Sequence, residues 1–466
     1  MYTPLSLLFV CLCGITSTSF AFQQSHLLPL SKPIRRSKLF VHDTKLHYSS
    51  LASKIDISET STRDMSSLFD WASNYGVQMS DCFQFTADDE GEGDGLNNVY
   101  VITNQDLPQE TPILCVPNEL ILTGNKAREE FGDEAYAAEQ VLSSYGQEQI
   151  IKFYLFLKIL KEYELGEESP YFYWLNSLPR YFSNGASMTD FCYGCLPPFA
   201  ASLAQQEKKR MKAFIKVLRR IPSLSSETKN YEDLTKWAFA VVNTRSFEIP
   251  MNGDFCIVPM GDYVNHGGYD EINVERSFDD EGNFYFYSTE NIPAGSPLKI
   301  SYGDSTNPSK LLAQYGFLDD TSPATYCKYI IENPSPEVIN MGYPSQMLFY
   351  NNGGISDSVW DIILYEQLKV DPQQQQAFYQ ACMIGDEATR QSYHQEYFGY
   401  TFQELQKHVD YLMNELEELE IGIETQSKQG RYADRYPRLP LLMRHNEFIK
   451  NIIELVQQNL NSMVGS

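Results

Sequence analysis

Short segments of alternating hydrophobic and polar residues dominate the first two thirds of the chain, with longer helical patterns between them. Gly, Pro, Asn and Asp separate these short segments, as expected of strands joined by turns. The segment at residues 150–165 is apolar on most faces, which predicts a buried helix. Further helices are predicted at 205–220 and at 232–244, the second capped by Asn230. The predicted strands are 99–103, 111–122, 255–259, 273–276, 284–288 and 298–302.

The pattern changes after about residue 326, where the strand signals end and helical spacing takes over. This block of about 140 residues is long enough to be a second domain. The chain is therefore predicted to be α+β, with a strand-rich part at 61–320 that carries a helical insert at about 125–240. An all-α region at 325–466 follows it. Its predicted helices are 359–367, 387–397, 401–421 and 441–461.

The N-terminus has the composition of a targeting sequence. Residues 5–15 read LSLLFVCLCGI, an apolar run of signal-peptide length that is followed by small residues. The stretch from 23 to 55 is rich in Ser and basic residues and holds one acid, Asp43, as in transit peptides. We expect a signal peptide at 1–21 and a disordered transit peptide at 22–60. The combination resembles the bipartite address of secondary plastids, which predicts the plastid stroma; ordinary secretion is the alternative.

Charge and cysteine content exclude several classes of protein. The chain has 36 Lys+Arg against 61 Asp+Glu, a net charge of -25, and an acidic surface repels nucleic-acid phosphates. Partners are therefore expected to present basic groups. No apolar run reaches the ~18 residues of a membrane span. Outside the signal peptide seven scattered cysteines remain, which is no disulfide framework, and the single C-x-x-C at Cys192 and Cys195 has no second pair for zinc.

Common catalytic signatures are missing: there is no P-loop, no G-x-S-x-G and no H-E-x-x-H. Four other strings stand in order along the chain, and each of them alone has an ordinary structural explanation. They are Arg245-Ser246-Phe247, Asp262-Tyr263-Val264-Asn265-His266, Ile300-Ser301-Tyr302-Gly303 and Leu311-Leu312-Ala313-Gln314-Tyr315-Gly316-Phe317.

In this order the four strings resemble the SET-domain methyltransferases. They are most similar to the branch with the Rubisco large-subunit lysine methyltransferases and the actin-histidine methyltransferases. The string 169–175 (SPYFYWL) and the helical C-terminal block also look like this branch. The resemblance covers about residues 65–460. It implies a SET-domain β fold with a pseudoknot near D-x-x-N-H, a helical insert, and a C-terminal helical domain of the Rubisco-methyltransferase type that binds the substrate protein.

The resemblance also implies S-adenosyl-L-methionine as methyl donor and assigns roles to residues. Tyr302 would be the catalytic residue, with its hydroxyl beside the methyl group and the acceptor amine. The donor would be bound by Arg245, through its carboxylate, and by Asn265, His266 and Tyr315. The acidic turn at 90–95 departs from the Arg/Gly-rich turn of the family, but its Gly91 and Gly93 suit a close backbone approach to the donor. No metal site is expected.

These inferences predict a protein-lysine N-methyltransferase that acts on a stromal protein such as the Rubisco large subunit or a sugar-phosphate aldolase. Two alternatives remain. The first is a protein-histidine N-methyltransferase that acts on a cytoskeletal protein, against which the targeting sequence argues. The second is a catalytically silent SET fold that serves as a protein-binding module. Donor binding separates the enzymes from the silent module.

Overall fold

The structure, a computed structural model, describes residues 53–88, 98–427 and 436–464. The predicted signal peptide and most of the predicted transit peptide therefore lie outside the described residues. Ile55 and Ile57 are buried in the hydrophobic core, so packing begins N-terminal to the boundary at residue 61 that the sequence suggests.

The strands are short and lie mainly before residue 301, where the alternating pattern predicts them. Two predicted strands are shorter than expected: the segment 111–122 divides around a 3-10 turn, and 298–302 forms a strand of two residues. The described strands are β1 (Gln78–Met79), β2 (Phe83–Ala87), β3 (Val99–Thr103), β4 (Pro112–Val116), β5 (Leu122–Thr123), β6 (Phe247–Ile249), β7 (Asp254–Ile257), β8 (Asn265–His266), β9 (Val274–Phe278), β10 (Phe284–Ser288), β11 (Lys299–Ile300), β12 (Ala324–Tyr326) and β13 (Leu348–Tyr350).

These strands form several small sheets. One antiparallel sheet has the order β1-β4-β10-β9 and another the order β5-β7-β6, while β2 pairs with β3 and β12 with β13. The exception to antiparallel pairing is β8 with β11, which run parallel with Lys299 opposite Asn265 and Ile300 opposite His266. This parallel pair lies where the pseudoknot was expected, and it joins two of the four sequence strings.

Apart from one short helix that precedes β1, the described helices form two groups, one between β5 and β6 and one after β11. They are α1 (Leu68–Asn74), α2 (Gly124–Phe131), α3 (Tyr136–Leu142), α4 (Gln147–Leu165), α5 (Phe172–Ser177), α6 (Asp190–Gly194), α7 (Pro198–Leu218), α8 (Ser226–Asn230), α9 (Glu232–Arg245), α10 (Pro308–Tyr315), α11 (Pro336–Asn340), α12 (Asp357–Gln367), α13 (Pro372–Ile384), α14 (Glu387–Ser427) and α15 (Leu439–Val464).

Two helix predictions were wrong. Asn230 does not cap α9, because it ends the short helix α8; Tyr231 is the N-cap and makes no side-chain capping bond. The two helices predicted at 387–397 and 401–421 are one helix, α14, which runs through Gly399. A glycine inside a helix costs about 1 kcal/mol. Burial of Phe402 and Leu405 just beyond it offsets that cost.

Buried apolar side chains form three clusters. The largest surrounds the sheets and the inserted helices and extends from Ile55 to Ile300. A second, from Tyr326 to Leu460, joins the C-terminal helices with the paired strands β12 and β13, so the region predicted as all-α at 325–466 also contains a short two-stranded sheet. The third joins α6, α7, α10 and α15, and it contains Cys192 and Cys195 as buried free thiols. The C-x-x-C pair therefore has a packing role. No helix among the described residues is both long and apolar enough to cross a bilayer.

Lys328 is a buried cation in the second cluster, with 6% of its surface exposed. Burial lowers the pKa of its ammonium to about 7, and attraction by Glu415 opposes this only in part. An unfolded lysine has a pKa of ~10.4, so between about pH 7 and 10 the unfolded chain binds more protons than the folded one. We expect the free energy of unfolding to rise with pH in this window, by up to about 1.4 kcal/mol per unit from this group.

Urea denaturation at pH 7.5 and pH 9 measures this effect. The Lys328→Met variant should lack the contribution, so the difference between wild type and variant isolates it from other titrating groups. The same pH dependence in both proteins would contradict the assignment to Lys328.

Candidate functional site

The parallel pairing of β8 with β11 positions Tyr302. The backbone N–H of Tyr302 donates to His266 Nδ1 (3.1 Å), and its hydroxyl donates to the carbonyl oxygen of Val264 (2.9 Å). Burial raises the pKa of the Tyr302 phenol, so the phenol is neutral near pH 7. Two segments that are separated by more than thirty residues thus meet through backbone and side-chain hydrogen bonds.

Arg245 ends α9 and forms a buried ion pair with Asp262. Its Nη1 donates to Asp262 Oδ2 (2.7 Å) and to the Asp262 carbonyl oxygen (2.8 Å). Trp174 Nε1 also donates to Oδ2 (3.2 Å), which gives the tryptophan of the 169–175 string a structural role. Burial opposes the charge on Arg245, but the attraction of Asp262 outweighs it and raises the pKa of the guanidinium.

The ion pair leaves hydrogen-bonding capacity unused. Arg245 Nε and Asp262 Oδ1 are buried and have no hydrogen-bond partner among the described residues. An unmade bond at a buried polar atom costs about 1–3 kcal/mol. A polar ligand in contact with these atoms would therefore be stabilised.

One hydrogen bond at Nδ1 holds the His266 ring, and Nε2 lies against a carboxylate without a hydrogen bond within the part of the chain that the structure describes. Since Nδ1 accepts a hydrogen bond from Tyr302, the proton of the neutral ring is on Nε2, which faces Asp319 Oδ2 at 3.4 Å. Burial opposes ionisation of Asp319, but the nearby His266 ring and the hydrogen bonds from Thr321 lower the pKa of this carboxyl. The His266 side chain is thus oriented by its neighbours before any ligand binds.

Aromatic rings complete the surroundings of Tyr302. Tyr315 donates from its hydroxyl to the Tyr302 carbonyl oxygen (3.2 Å), and the two ring centroids are 5.0 Å apart. Burial raises the pKa of Tyr315 to about 12. The ring of Phe317 lies 5.6 Å from His266 and 6.1 Å from Tyr302. Gly316 lies between Tyr315 and Phe317 in the sequence and has φ +84°. A Cβ at this position would meet backbone atoms of residues 183 and 184 at 2.5–2.6 Å, so only glycine fits.

The structure brings the described candidate residues to one cavity of about 530 Å3, which we name the first cavity. Its walls include all five of them: Arg245, Asn265, His266, Tyr302 and Tyr315. This is within the usual size of small-molecule sites, about 300–1,000 Å3. The other two candidates, Gly91 and Gly93, lie outside the described residues.

A second cavity, of about 730 Å3, shares several lining residues with the first. Arg245, Asp262, Tyr302 and Tyr315 line both cavities. In the second cavity they meet apolar side chains, among them Phe247, Phe255 and Phe286, as well as charged ones. Tyr302 therefore borders two spaces, so that two reactants can reach it from different cavities.

Sequence reasoning missed several residues at the first cavity. Phe317 belongs to the quoted L-L-x-x-Y-G-F string, which was a signal for it, and Asp319, which contacts His266 without lining the cavity, follows two residues later. Arg63, upstream of α1, and Arg444, on α15, also line the cavity, and no local pattern marks either of them. Both reach the site only through the fold. The start of the C-terminal helix α15 thus contributes to the wall of the first cavity.

No group of three or more His, Cys, Asp or Glu side chains is placed to hold a metal ion within residues 53–88, 98–427 and 436–464.

Comparison with known proteins agrees with this geometry. The family description of the SET domain matches residues 98–303. Among curated proteins, none matches the chain. Among solved structures, the SET domain of LSMT bound to lysine and AdoHcy is 15% identical, with a TM-score of 0.58 over 84% of this chain and 90% of that one. Rubisco LSMT bound to AdoMet is 16% identical, with a TM-score of 0.58 over 85% and 91%.

A third structure, Rubisco LSMT bound to sinefungin and monomethyllysine, is 16% identical, with a TM-score of 0.57 over 85% of this chain and 90% of that one. At these identities the likeness concerns the fold. The predicted α+β fold with strands around a helical insert and C-terminal helices is thereby confirmed. The chain contains a SET domain at residues 98–303 and shares the fold of Rubisco LSMT.

Proposed function

We propose that this chain is an S-adenosyl-L-methionine-dependent protein-lysine N-methyltransferase. The observation that carries the proposal is the position of Tyr302 at the border of two cavities, one of which gathers Arg245, Asn265 and His266. The solved structures with this fold hold AdoMet, AdoHcy or sinefungin, and two of them hold lysine or monomethyllysine. Transfer of a methyl group from a donor in one cavity to a lysine in the other, beside the Tyr302 phenol, agrees with the two cavities and with the ligands of these solved structures.

The first cavity fits the methyl donor. The unused Nε of Arg245 suits a carboxylate, since a guanidinium bonds carboxylates with charge assistance. Asn265 offers amide and backbone groups, and the rings of Tyr315 and Phe317 offer apolar surface for a base. When bound, the donor supplies a sulfonium methyl that is already activated, so transfer breaks its S–C bond and forms one N–C bond. The protein has mainly to align and desolvate the reactants.

The second cavity would take the acceptor lysine. A lysine ammonium must lose its proton before its nitrogen can attack, and an apolar wall such as Phe247 favours that loss. Tyr302 is not the base, because burial raises the pKa of its phenol. Its hydroxyl proton is committed to the Val264 carbonyl, so the oxygen is left to accept a hydrogen bond from the amine. In this role Tyr302 aligns the nitrogen lone pair with the methyl group.

Two measurements test the proposal. Calorimetric titration with S-adenosyl-L-methionine should show saturable binding, and Asn265→Ala should weaken it. Transfer from a donor with a labelled methyl group, followed by acid hydrolysis of the acceptor protein, should yield methyl-lysine. Methyl-histidine would favour the histidine-specific alternative. No saturable binding of the donor would leave the silent binding module as the function.

We further propose the Rubisco large subunit, or a similar stromal protein such as an aldolase, as the acceptor. The composition of residues 1–50 and the fold shared with Rubisco LSMT support this. Mass spectrometry of plastid proteins with and without the chain would identify the target by loss of a methyl mass. A fluorescent fusion of residues 1–60 that is secreted would contradict the stromal location.

A further inference from the structure

The second cavity differs in charge from the rest of the molecule. The chain as a whole has a net charge of -25, whereas five basic and four acidic side chains line this cavity. Three of the four acids are paired with basic side chains of the same chain, at 2.5–2.7 Å, although Glu148 is itself exposed. The pairs are Asp262 with Arg245, Glu148 with Lys152, and Glu207 with Arg210.

Two cations remain, Arg276 and Lys310, against one acid, Glu248. Lys310 and Glu248 are exposed, Lys310 on α10 and Glu248 on β6. Charges in water at the rim interact weakly. Arg276 is different, since it is partly buried at the cavity wall.

Arg276 comes from β9, and its guanidinium contacts only neutral groups. Nη2 donates to the carbonyl oxygen of Ser301 (3.3 Å), and Cζ lies 4.6 Å from the centre of the Phe247 ring. Within the part of the chain that the structure describes, no carboxylate lies within 4.0 Å of it. A guanidinium has five N–H donors in a fork that matches a carboxylate. The Arg276 guanidinium therefore has N–H donors left for an anionic partner. It lies beside Ser301, the residue that precedes Tyr302.

We propose that the acceptor segment carries an acidic residue within about three positions of the target lysine, and that its carboxylate pairs with Arg276. The proposal rests on the proposed function, because it places the lysine amine beside Tyr302. Consecutive Cα atoms are 3.8 Å apart. Three positions therefore span at most about 11 Å, and Arg276 lines the same cavity as Tyr302, so the side chain of a sequence neighbour can reach it. Lys310 supports the same preference from the rim.

This selectivity is local. The acidic surface of the whole chain attracts basic proteins at long range, but salt screens that attraction over about 8–10 Å. The paired contact at Arg276 is partly shielded from solvent and directional, so it distinguishes lysines within one protein. The expected substrate is therefore a lysine with an acidic neighbour.

The test uses peptides with capped ends, so that no terminal carboxylate is present. A library of the form X-X-X-Lys-X-X-X, with lysine excluded from X, is methylated with labelled S-adenosyl-L-methionine. We expect Asp or Glu to be enriched at one position. Replacing that acid with its amide should lower kcat/KM of the wild type about tenfold, as expected for loss of a hydrogen-bonded charge.

Variants then assign the preference to Arg276. In Arg276→Gln the acid and the amide peptide should react at similar rates, while Arg276→Lys should keep part of the difference. Lys310→Glu, an exposed change that leaves the core intact, should also reduce the difference in rate between the acid and the amide peptide. Arg219→Gln, an exposed site at the end of α7 and away from the cavity, is the control and should behave like the wild type. Donor affinity, measured by calorimetry, should be unchanged in Arg276→Gln. An unchanged affinity would show that this variant is folded.

Three results would overturn the proposal. They are the absence of any acidic preference in the wild type, an equal preference in Arg276→Gln, and a library that accepts no methyl group. If the protein binds the donor but methylates no peptide of the library, transfer to lysine is refuted as well. In the first two cases lysine methylation would stand and only the role of Arg276 would fall.

Discussion

Tyr302→Phe is expected to lower kcat for methyl transfer by about 10²–10³-fold, the usual loss when one preorganised polar group at the reacting atoms is removed. The change deletes the oxygen that bonds Val264 and would align the amine, but it leaves the ring among His266, Tyr315 and Phe317. Donor affinity should therefore stay largely unchanged. Single-turnover transfer and calorimetry measure the two effects separately.

Tyr315→Phe is the matched control for this prediction. Tyr315 also lines both cavities, but its hydroxyl bonds the Tyr302 carbonyl oxygen and is engaged in positioning. Removal of the Tyr315 hydroxyl should therefore lower kcat less than removal of the Tyr302 hydroxyl. A parallel loss of donor binding and transfer in Tyr302→Phe would show that Tyr302 is structural, and the proposed chemistry would be wrong.

Asp262→Ala is expected to lower the free energy of unfolding by about 3–5 kcal/mol, because it leaves the Arg245 guanidinium buried without its counter-charge. Trp174 would lose its hydrogen-bond acceptor in the same change. Urea denaturation followed by tryptophan fluorescence or circular dichroism measures the loss. Donor binding should weaken as well, since Arg245 lines the first cavity.

Two further variants identify the cause. Asp262→Asn keeps an oxygen for Arg245 and Trp174 and removes only the charge, so its loss of stability should be smaller. Asp270→Ala changes an exposed aspartate and should leave stability within about 0.5 kcal/mol. If Asp262→Ala were as stable as the wild type, the pair would be exposed to water in solution, and its role at the site would need revision.

The candidate site was largely predictable from sequence, because its residues fall in four short strings. Arg245, Asn265, His266, Tyr302 and Tyr315 were all named, and the structure places them at one cavity. Asn230 and the break at residue 399 were mispredicted for a different reason. Capping and glycine preferences are worth about 1 kcal/mol each, and tertiary packing of neighbouring residues exceeded them.

The partners of these residues were beyond sequence reasoning. That Arg245 binds Asp262, and that His266 lies between Tyr302 and Asp319, depends on the parallel pairing of β8 with β11. Strands of two residues have no readable periodicity, and their pairing is set by the surrounding core. The second cavity and its charge were equally hidden, since α4, α7, β9 and α10 all contribute to it.

The sequence by itself named five residues that the structure brings to one cavity, and it determined that the fold is α+β and that the chain as a whole is acidic. These properties are local or additive, so they can be read along the chain. Only the tertiary structure decided that Tyr302 borders two cavities, that α15 reaches the first of them, and that Arg276 lies at the wall of the second. Each of these depends on contacts between residues far apart in sequence, and burial of the apolar core, rather than any local preference, sets such contacts.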